Sequence, residues 1–285
     1  MFDLLKPSET RSPITIDGGW GTEFQKLGIQ FEGGSDVVTL SHPEEVQRLA
    51  SVYARLGCKI VLTNTFGANR SRLESAGITN EIARINRLGV VLSRRGVEDR
   101  AKVMATIGPT GLHIGTPKTD FESIYSEQIE HLIDAVPDGF VIETMTNLTE
   151  AIAALETCVA TGLPTVVSMT VGLGDQPFNL LSGERVEEAA VELANAGASA
   201  VGLNCMDSMF MSRGIQLMQE VIDIPIWAKP NGGIPILLDG VAFYGVTPEA
   251  FVADCMSLIS DGATFVGGCC GIGPAHVGLL AATLR

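Results

Sequence analysis

The chain has 285 residues, 46% of them hydrophobic and 18% charged, a balance that supports a sizeable core and excludes disorder. Thirty-three acidic against nineteen basic residues leave a net charge of −14, a field that repels phosphate backbones and anionic lipid surfaces and so argues against nucleic acid or membrane as partners. No apolar run reaches the roughly 18 residues of a membrane span, and the opening Met1-Phe2-Asp3-Leu4-Leu5-Lys6-Pro7 lacks the basic start and apolar centre of a signal peptide. The expectation is a soluble, cytoplasmic protein.

In chain order, short apolar β-rich runs begin near Ile14, Ile60, Val103, Phe140, Thr165, Ala200, Pro225 and Thr264. Helical periodicity follows them, over 44–56, 80–96, 121–135, 148–160, 184–196, 210–221, 248–259 and 274–284. Strand then helix, eight times over, predicts an α/β fold, a single (β/α)8 barrel spanning 1–285 with residues 1–12 as a polar lead-in. Ser41 with Pro43-Glu44-Glu45, Thr247-Pro248-Glu249 and Gly273-Pro274 read as helix starts, and Gly57, Gly89, Gly139, Gly162, Gly197 and Gly262 as helix stops. No linker, charge block or low-complexity run divides the chain. Two connections, 108–120 and 171–183, are long and follow the C-terminal ends of strands three and five. They are candidate substrate-covering loops, with plain surface decoration as the alternative.

In such a barrel every strand points its C-terminal end at one rim, so residues distant in sequence converge there. Cys205 at the end of strand six and the adjacent Cys269 and Cys270 at the end of strand eight therefore land together, whereas Cys58, Cys158 and Cys255 sit in apolar patterns as small buried hydrophobes. Six cysteines are too sparse for a disulfide scaffold. Three gathered thiolates suit Zn2+, with one position left open for catalysis; a fortuitous cluster, a disulfide from Cys205 or a redox thiol are the alternatives. The histidines compete poorly as ligands: His42 and His276 start helices, His131 lies within one, and His113 sits on a long loop. Asp17 and Glu143 are charged groups at the ends of apolar strands, costly unless something binds them. An ammonium group is the fitting ligand; pairing with Lys229 or an arginine is the alternative. Neither a nucleotide-binding glycine loop nor a serine-hydrolase elbow is present.

The motifs Asp17-Gly18-Gly19-Trp20-Gly21-Thr22-Glu23, Thr63-Asn64-Thr65-Phe66-Gly67-Ala68, Ile142-Glu143-Thr144, Gly202-Leu203-Asn204-Cys205 and Gly267-Gly268-Cys269-Cys270-Gly271 resemble those of the homocysteine S-methyltransferases, from about Ile14 to Leu284. That resemblance implies zinc held by Cys205, Cys269 and Cys270, and methylation of the homocysteine thiol to give methionine. It places Gly18 and Asn64 at the substrate, Asp17 and Glu143 on its amino-acid end, and Asn231 where a side chain fills the fourth zinc position before the thiol arrives. The stretches 63–70, 107–111 and 229–233 are similar to the homocysteine module of cobalamin-dependent methionine synthase, and the tyrosine of betaine-using enzymes is absent at Phe66-Gly67-Ala68. The chain is too short for the folate, cobalamin and activation modules of that synthase. The resemblance thus implies a methyl-corrinoid, methylcobalamin, delivered by a separate corrinoid protein. A small donor (betaine, S-methylmethionine or another sulfonium), catabolic demethylation onto another thiol, and a zinc-binding barrel without catalysis are the alternatives. Lys229 departs from the synthase pattern, which tends to carry an acidic residue there.

Overall fold

Each of the eight predicted runs forms a strand, and all eight join one parallel sheet. The computed structural model describes residues 12–172, 177–238 and 241–285, so the lead-in up to residue 11 and residues 173–176 of the second long connection lie outside the described residues. The strands are β1 (Ile14–Thr15), β2 (Ile60–Leu62), β3 (Lys102–Ile107), β4 (Gly139–Met145), β5 (Thr165–Met169), β6 (Ala200–Asn204), β7 (Ile226–Lys229) and, after a short hairpin of β8 (Ile236–Leu238) and β9 (Val241–Phe243), β10 (Ala263–Val266). The sheet order is β1-β10-β7-β6-β5-β4-β3-β2. A parallel bridge between Ile16 and Ile60, beside a 2.8 Å hydrogen bond from Lys59 N–H to Thr15 O, brings the two ends together into a (β/α)8 barrel.

The helices are α1 (Gly21–Lys26), α2 (Val38–Ser41), α3 (Pro43–Leu56), α4 (Arg70–Ser75), α5 (Ile82–Val97), α6 (Lys118–Ile133), α7 (Leu148–Val159), α8 (Val186–Asn195), α9 (Ser208–Gln219), α10 (Pro248–Ser260) and α11 (Pro274–Thr283). Helix α3 shows how local chemistry sets the bounds. Pro43 sits at its first turn with Glu44 and Glu45 toward the positive dipole end, and Gly57 stops it at φ 109°. Its buried side chains, Val46, Leu49, Ala50, Tyr53 and Ala54, recur at helical spacing and form the face that packs inward. Two of the predicted stops are not stops. Gly89 lies inside α5, where an added Cβ would come within 2.5 Å of Thr65 Cγ2; Gly139 opens β4, where it would come within 2.6 Å of Pro164 O. Both glycines serve close approach of neighbouring chain.

Two apolar layers carry the fold. Inside the barrel, Ile14, Ile16, Ile60, Leu62, Met104, Val141, Val166, Ala200, Trp227 and Phe265 draw on all eight strands and fill the axis. Trp227 is the largest side chain there, and the neighbouring strand passes so close that a Cβ on Gly202 would meet the Trp227 backbone O at 1.8 Å. Between sheet and helices lies the larger cluster that includes Phe24, Tyr53, Phe121, Leu155, Ile215 and Phe251. Each such side chain contributes about 1.5–3 kcal/mol on removal from water.

A long connection that sequence reasoning passed over follows β7. It runs from Pro230 to Thr247 and carries the β8–β9 hairpin, with Ile236 paired to Phe243 and Leu237 to Ala242. The signal available was Asp239-Gly240 between two apolar triplets, the usual dipeptide of a two-residue hairpin.

One carboxyl away from the barrel axis makes a pH-dependent contribution. Asp36 is buried, accepts from Gly67 N–H at 2.9 Å, and burial pushes it up to about 6 against that bond and the charge of Arg72. The folded chain therefore keeps a proton that the unfolded chain releases near pH 4, and stability falls as pH rises from about 4 through 6. Asp36→Asn lacks that loss and is expected to gain about 3 kcal/mol over the natural chain between pH 3.5 and 7 in urea denaturation. Parallel stability profiles for the two proteins would contradict the assignment.

Candidate metal centre

Alternation along the strands carries the site upward from the apolar layer. Two residues beyond Met104, Val141, Val166 and Trp227 stand Thr106, Glu143, Ser168 and Lys229, all buried, and four beyond Phe265 stands Cys269. The polar layer thus begins where the hydrophobic filling of the barrel ends.

Cys205, Cys269 and Cys270 meet there as expected, their sulfurs all within 4.8 Å of one another and half-buried, the only such metal-holding group among the described residues. The end of β7 knits them together. Cys205 N–H donates to Lys229 O at 3.1 Å, Cys269 N–H to Pro230 O at 2.8 Å, and Gly232 N–H to Cys270 O at 2.8 Å. Gly268 is required by the tight turn, since a Cβ would lie 2.0 Å from Ile272 Cγ2. All three thiols are free, so no disulfide joins Cys205 to the pair. The adjacent Cys205 and then Cys269 thiols hold the Cys270 thiol low, while Cys269, Cys270 and burial push Cys205 up.

The donor chemistry fits a thiophilic dication. Three sulfurs supply soft ligands, and Asn231 Oδ1 is buried without a hydrogen-bond partner, an oxygen left over beside the cysteine loop. Asn231 N–H is fixed on Met206 O at 2.9 Å, directly after the Cys205 strand end. Two non-glycine residues with positive φ mark the same rim, Thr144 at 62° and Cys205 at 60°. Asn204 holds Thr144 in place, accepting from Thr144 N–H at 2.8 Å and Ser168 Oγ at 2.8 Å and donating to Thr144 Oγ1 at 2.7 Å. Sequence reading did not single out Asn204, Thr144 or Ser168 as such a support.

The carboxylates come together too, with a cation between them. Lys229 Nζ lies 2.9 Å from Asp17 Oδ1 and 3.5 Å from Glu143 Oε1. Burial works against its ammonium, but the charges of Asp17 and Glu143 outweigh it and hold Lys229 protonated. Asp17 is fully buried, and its other oxygen accepts from Leu62 N–H at 2.8 Å and Trp20 Nε1 at 2.9 Å. Glu143 keeps more freedom: it retains slight exposure, makes only the longer contact to Lys229, and burial pushes it up to about 7 against the pull of that lysine. Gly18 is buried against Ile272 O and the Tyr53 hydroxyl, a wall with no room for a side chain. The Asn64 amide is engaged within the protein, donating to Ser35 O at 2.7 Å and Thr39 Oγ1 at 3.0 Å and accepting from Ser35 Oγ at 3.3 Å. His276 accordingly stands at its helix start, with Nε2 2.9 Å from Val246 O.

Fold and site together define a (β/α)8 barrel with a cluster of three cysteines, able to hold a metal ion, at the rim where such barrels keep their chemistry. A sequence profile described as homocysteine S-methyltransferase matches residues 14–284, and the chain belongs to that family of methyltransferases. It is 28% identical over 99% of its length to methionine synthase of Mycobacterium tuberculosis and 25% identical over 99% of its length to betaine–homocysteine S-methyltransferase 1 of Bos taurus. The chain spans 25% of the synthase and 74% of the betaine enzyme. In three dimensions it is similar to the metallated form of the homocysteine methyltransferase MmuM from Escherichia coli, with a TM-score of 0.83 at 20% identity, covering 98% of this chain and all of that one. No helix among the described residues is long and apolar enough to cross a membrane.

Proposed function

We propose that the chain is a single cytoplasmic barrel that methylates the thiol of homocysteine to give methionine, with Cys205, Cys269 and Cys270 holding Zn2+. The observation that carries this reading is the gathering of the three sulfurs, from two strand ends 64 positions apart in sequence, at the mouth of a barrel of this family. A bound zinc ion would act as a Lewis acid there, lowering the proton affinity of the substrate thiol so that it is a thiolate near neutral pH instead of at about 8.5. The chain's own residues do the rest. Cys205, Cys269 and Cys270 keep the site anionic, which leaves the attacking sulfur electron-rich. Asn231 Oδ1, buried and unpartnered, would be the oxygen available to such an ion before substrate binds. Glu143 receives the substrate ammonium, Asp17 acts through the Lys229 it anchors, and the Gly18 and Asn64 walls shape the pocket around the amino-acid end.

The methyl donor in this reading is a methyl-corrinoid on a separate protein. An apolar margin at the rim supports it: Ile114, Leu181, Ile234, Ile236, Leu237 and Phe243 are all exposed, on the connections that follow β3, β5 and β7. The test follows the visible spectrum of methylcobalamin mixed anaerobically with zinc-loaded protein and homocysteine. Loss of the methyl–cobalt bands with methionine appearing supports the corrinoid donor; methionine formed only from betaine or a sulfonium donor overturns it and keeps the acceptor.

The ammonium role of Glu143 has its own consequence. Glu143→Ala should raise the Michaelis constant for homocysteine about 10–100-fold, the worth of a charge-assisted hydrogen bond, with zinc retained in full. An unchanged constant in steady-state assays would contradict it.

A further inference from the structure

The long connection after β7 returns to the metal centre through a residue that no motif singled out. Tyr244, just past β9, lies against the cysteine loop: a Cβ on Gly271 would come within 2.2 Å of Tyr244 Cγ, and one on Gly232 within 3.1 Å of Tyr244 Cβ. Two glycines, one beside Cys270 and one two places after Pro230, therefore leave the seat this ring occupies. The seat is fixed on both sides. Val246 N–H donates to Gly232 O at 3.2 Å, and Val246 O is held by His276 Nε2 at 2.9 Å, tying the segment to α11. From that position the ring packs directly beside Cys270, close enough for the phenol and the Cys270 thiol to influence each other, with Cys205 and Cys269 also near.

We infer that Tyr244 is a positioning residue of the metal centre, its hydroxyl holding the Cys270 sulfur as a ligand and drawing off part of the charge that three thiolates bring together. The inference rests on the metal-binding reading above. Three thiolates around a dication leave an excess negative charge in a half-buried site, and a hydrogen bond to one sulfur stabilises that excess. Partners of this kind, one step removed from the metal, typically change metal affinity 10–100-fold when lost. They also lower the energy of the sulfur lone pairs, so that their loss moves sulfur-to-metal charge transfer to longer wavelength.

Tyr244→Phe removes the hydroxyl and keeps the ring between Gly271 and Gly232. In the full chain, zinc affinity measured against a chromophoric chelator should fall by about 10–100-fold. In the cobalt(II)-substituted protein the thiolate charge-transfer band should move to longer wavelength while the metal stoichiometry stays at one. Phe243→Ala, on the same hairpin but half exposed to solvent, should leave both readings unmoved. Equal affinity and an unshifted band in Tyr244→Phe overturn the inference, as does an equal loss in Phe243→Ala, which would assign the effect to the hairpin and not the phenol. A natural chain that binds no zinc overturns the metal reading itself, and is told apart because the comparison of variants then has no starting value.

Discussion

Cys269→Ala is expected to abolish zinc retention and methyl transfer together, while the barrel remains folded. Cys269 supplies one of three sulfurs, and its N–H and carbonyl also brace the loop, on Pro230 O at 2.8 Å and from Ile272 N–H at 3.1 Å. Those backbone bonds survive the substitution, so the loss falls on the metal. Two remaining sulfurs and the Asn231 oxygen make a weaker, harder donor set for a thiophilic ion. Metal analysis after gel filtration should find less than about a tenth of an equivalent of zinc, and turnover should drop by at least about 1,000-fold, since an unactivated thiol at pH 7 is only a few per cent thiolate and has lost its orientation as well. Full activity in a zinc-free Cys269→Ala protein would contradict the account, because no other cluster of ligands among the described residues stands ready to replace it.

The second large effect is structural. Lys229→Met leaves Asp17 and Glu143 facing each other without the cation that now lies 2.9 and 3.5 Å from them. Removing one partner of a buried ion pair costs about 3–5 kcal/mol, because an uncompensated charge stays in the interior. Asp17 cannot swing away, held as it is by Leu62 N–H and Trp20 Nε1. The expected relief is uptake of a proton by the pair. In urea denaturation at pH 8 the Lys229→Met protein should lose about 3–5 kcal/mol, and adding Glu143→Gln should restore part of it by removing one of the two charges. A change within about 0.5 kcal/mol, the usual range of a surface substitution, would show that the triad carries no such weight.

These two sites also show what was readable in the sequence. The barrel and the meeting of Cys205 with Cys269 and Cys270 follow from strand–helix alternation and from the rule that parallel strands end on one rim; both depend only on element order. Lys229 is a different case. Its pairing with Asp17 spans 212 positions and appeared only as an alternative, because element order brings residues to a rim but does not say which side chains touch. Glycine was the least legible residue. Gly57 and Gly262 end helices with positive φ, whereas Gly89 and Gly139 are small to admit Thr65 and Pro164, and a sequence shows the same letter for both uses.

The hairpin and Tyr244 were missed for a related reason. The segment 230–247 is short of polar spacing, its Asp239-Gly240 dipeptide is only a local signal, and the placement of Tyr244 depends on two glycines in separate loops. Asn204 shares its motif with the cysteine that follows it, yet its amide joins β4, β5 and β6 and holds Thr144 in a conformation rare for that residue type. Residues that act by holding others carry no signature of their own in the chain.

The most direct test of the central claim is to count sulfur around zinc by X-ray absorption, in the zinc-loaded full chain alone and with homocysteine. The account predicts three sulfur neighbours and one lighter atom in the protein alone, and four sulfurs once homocysteine is added. Fewer than three sulfurs at the start would contradict the assignment of Cys205, Cys269 and Cys270 as the ligands, and a count that homocysteine leaves unchanged would contradict the role given to the metal.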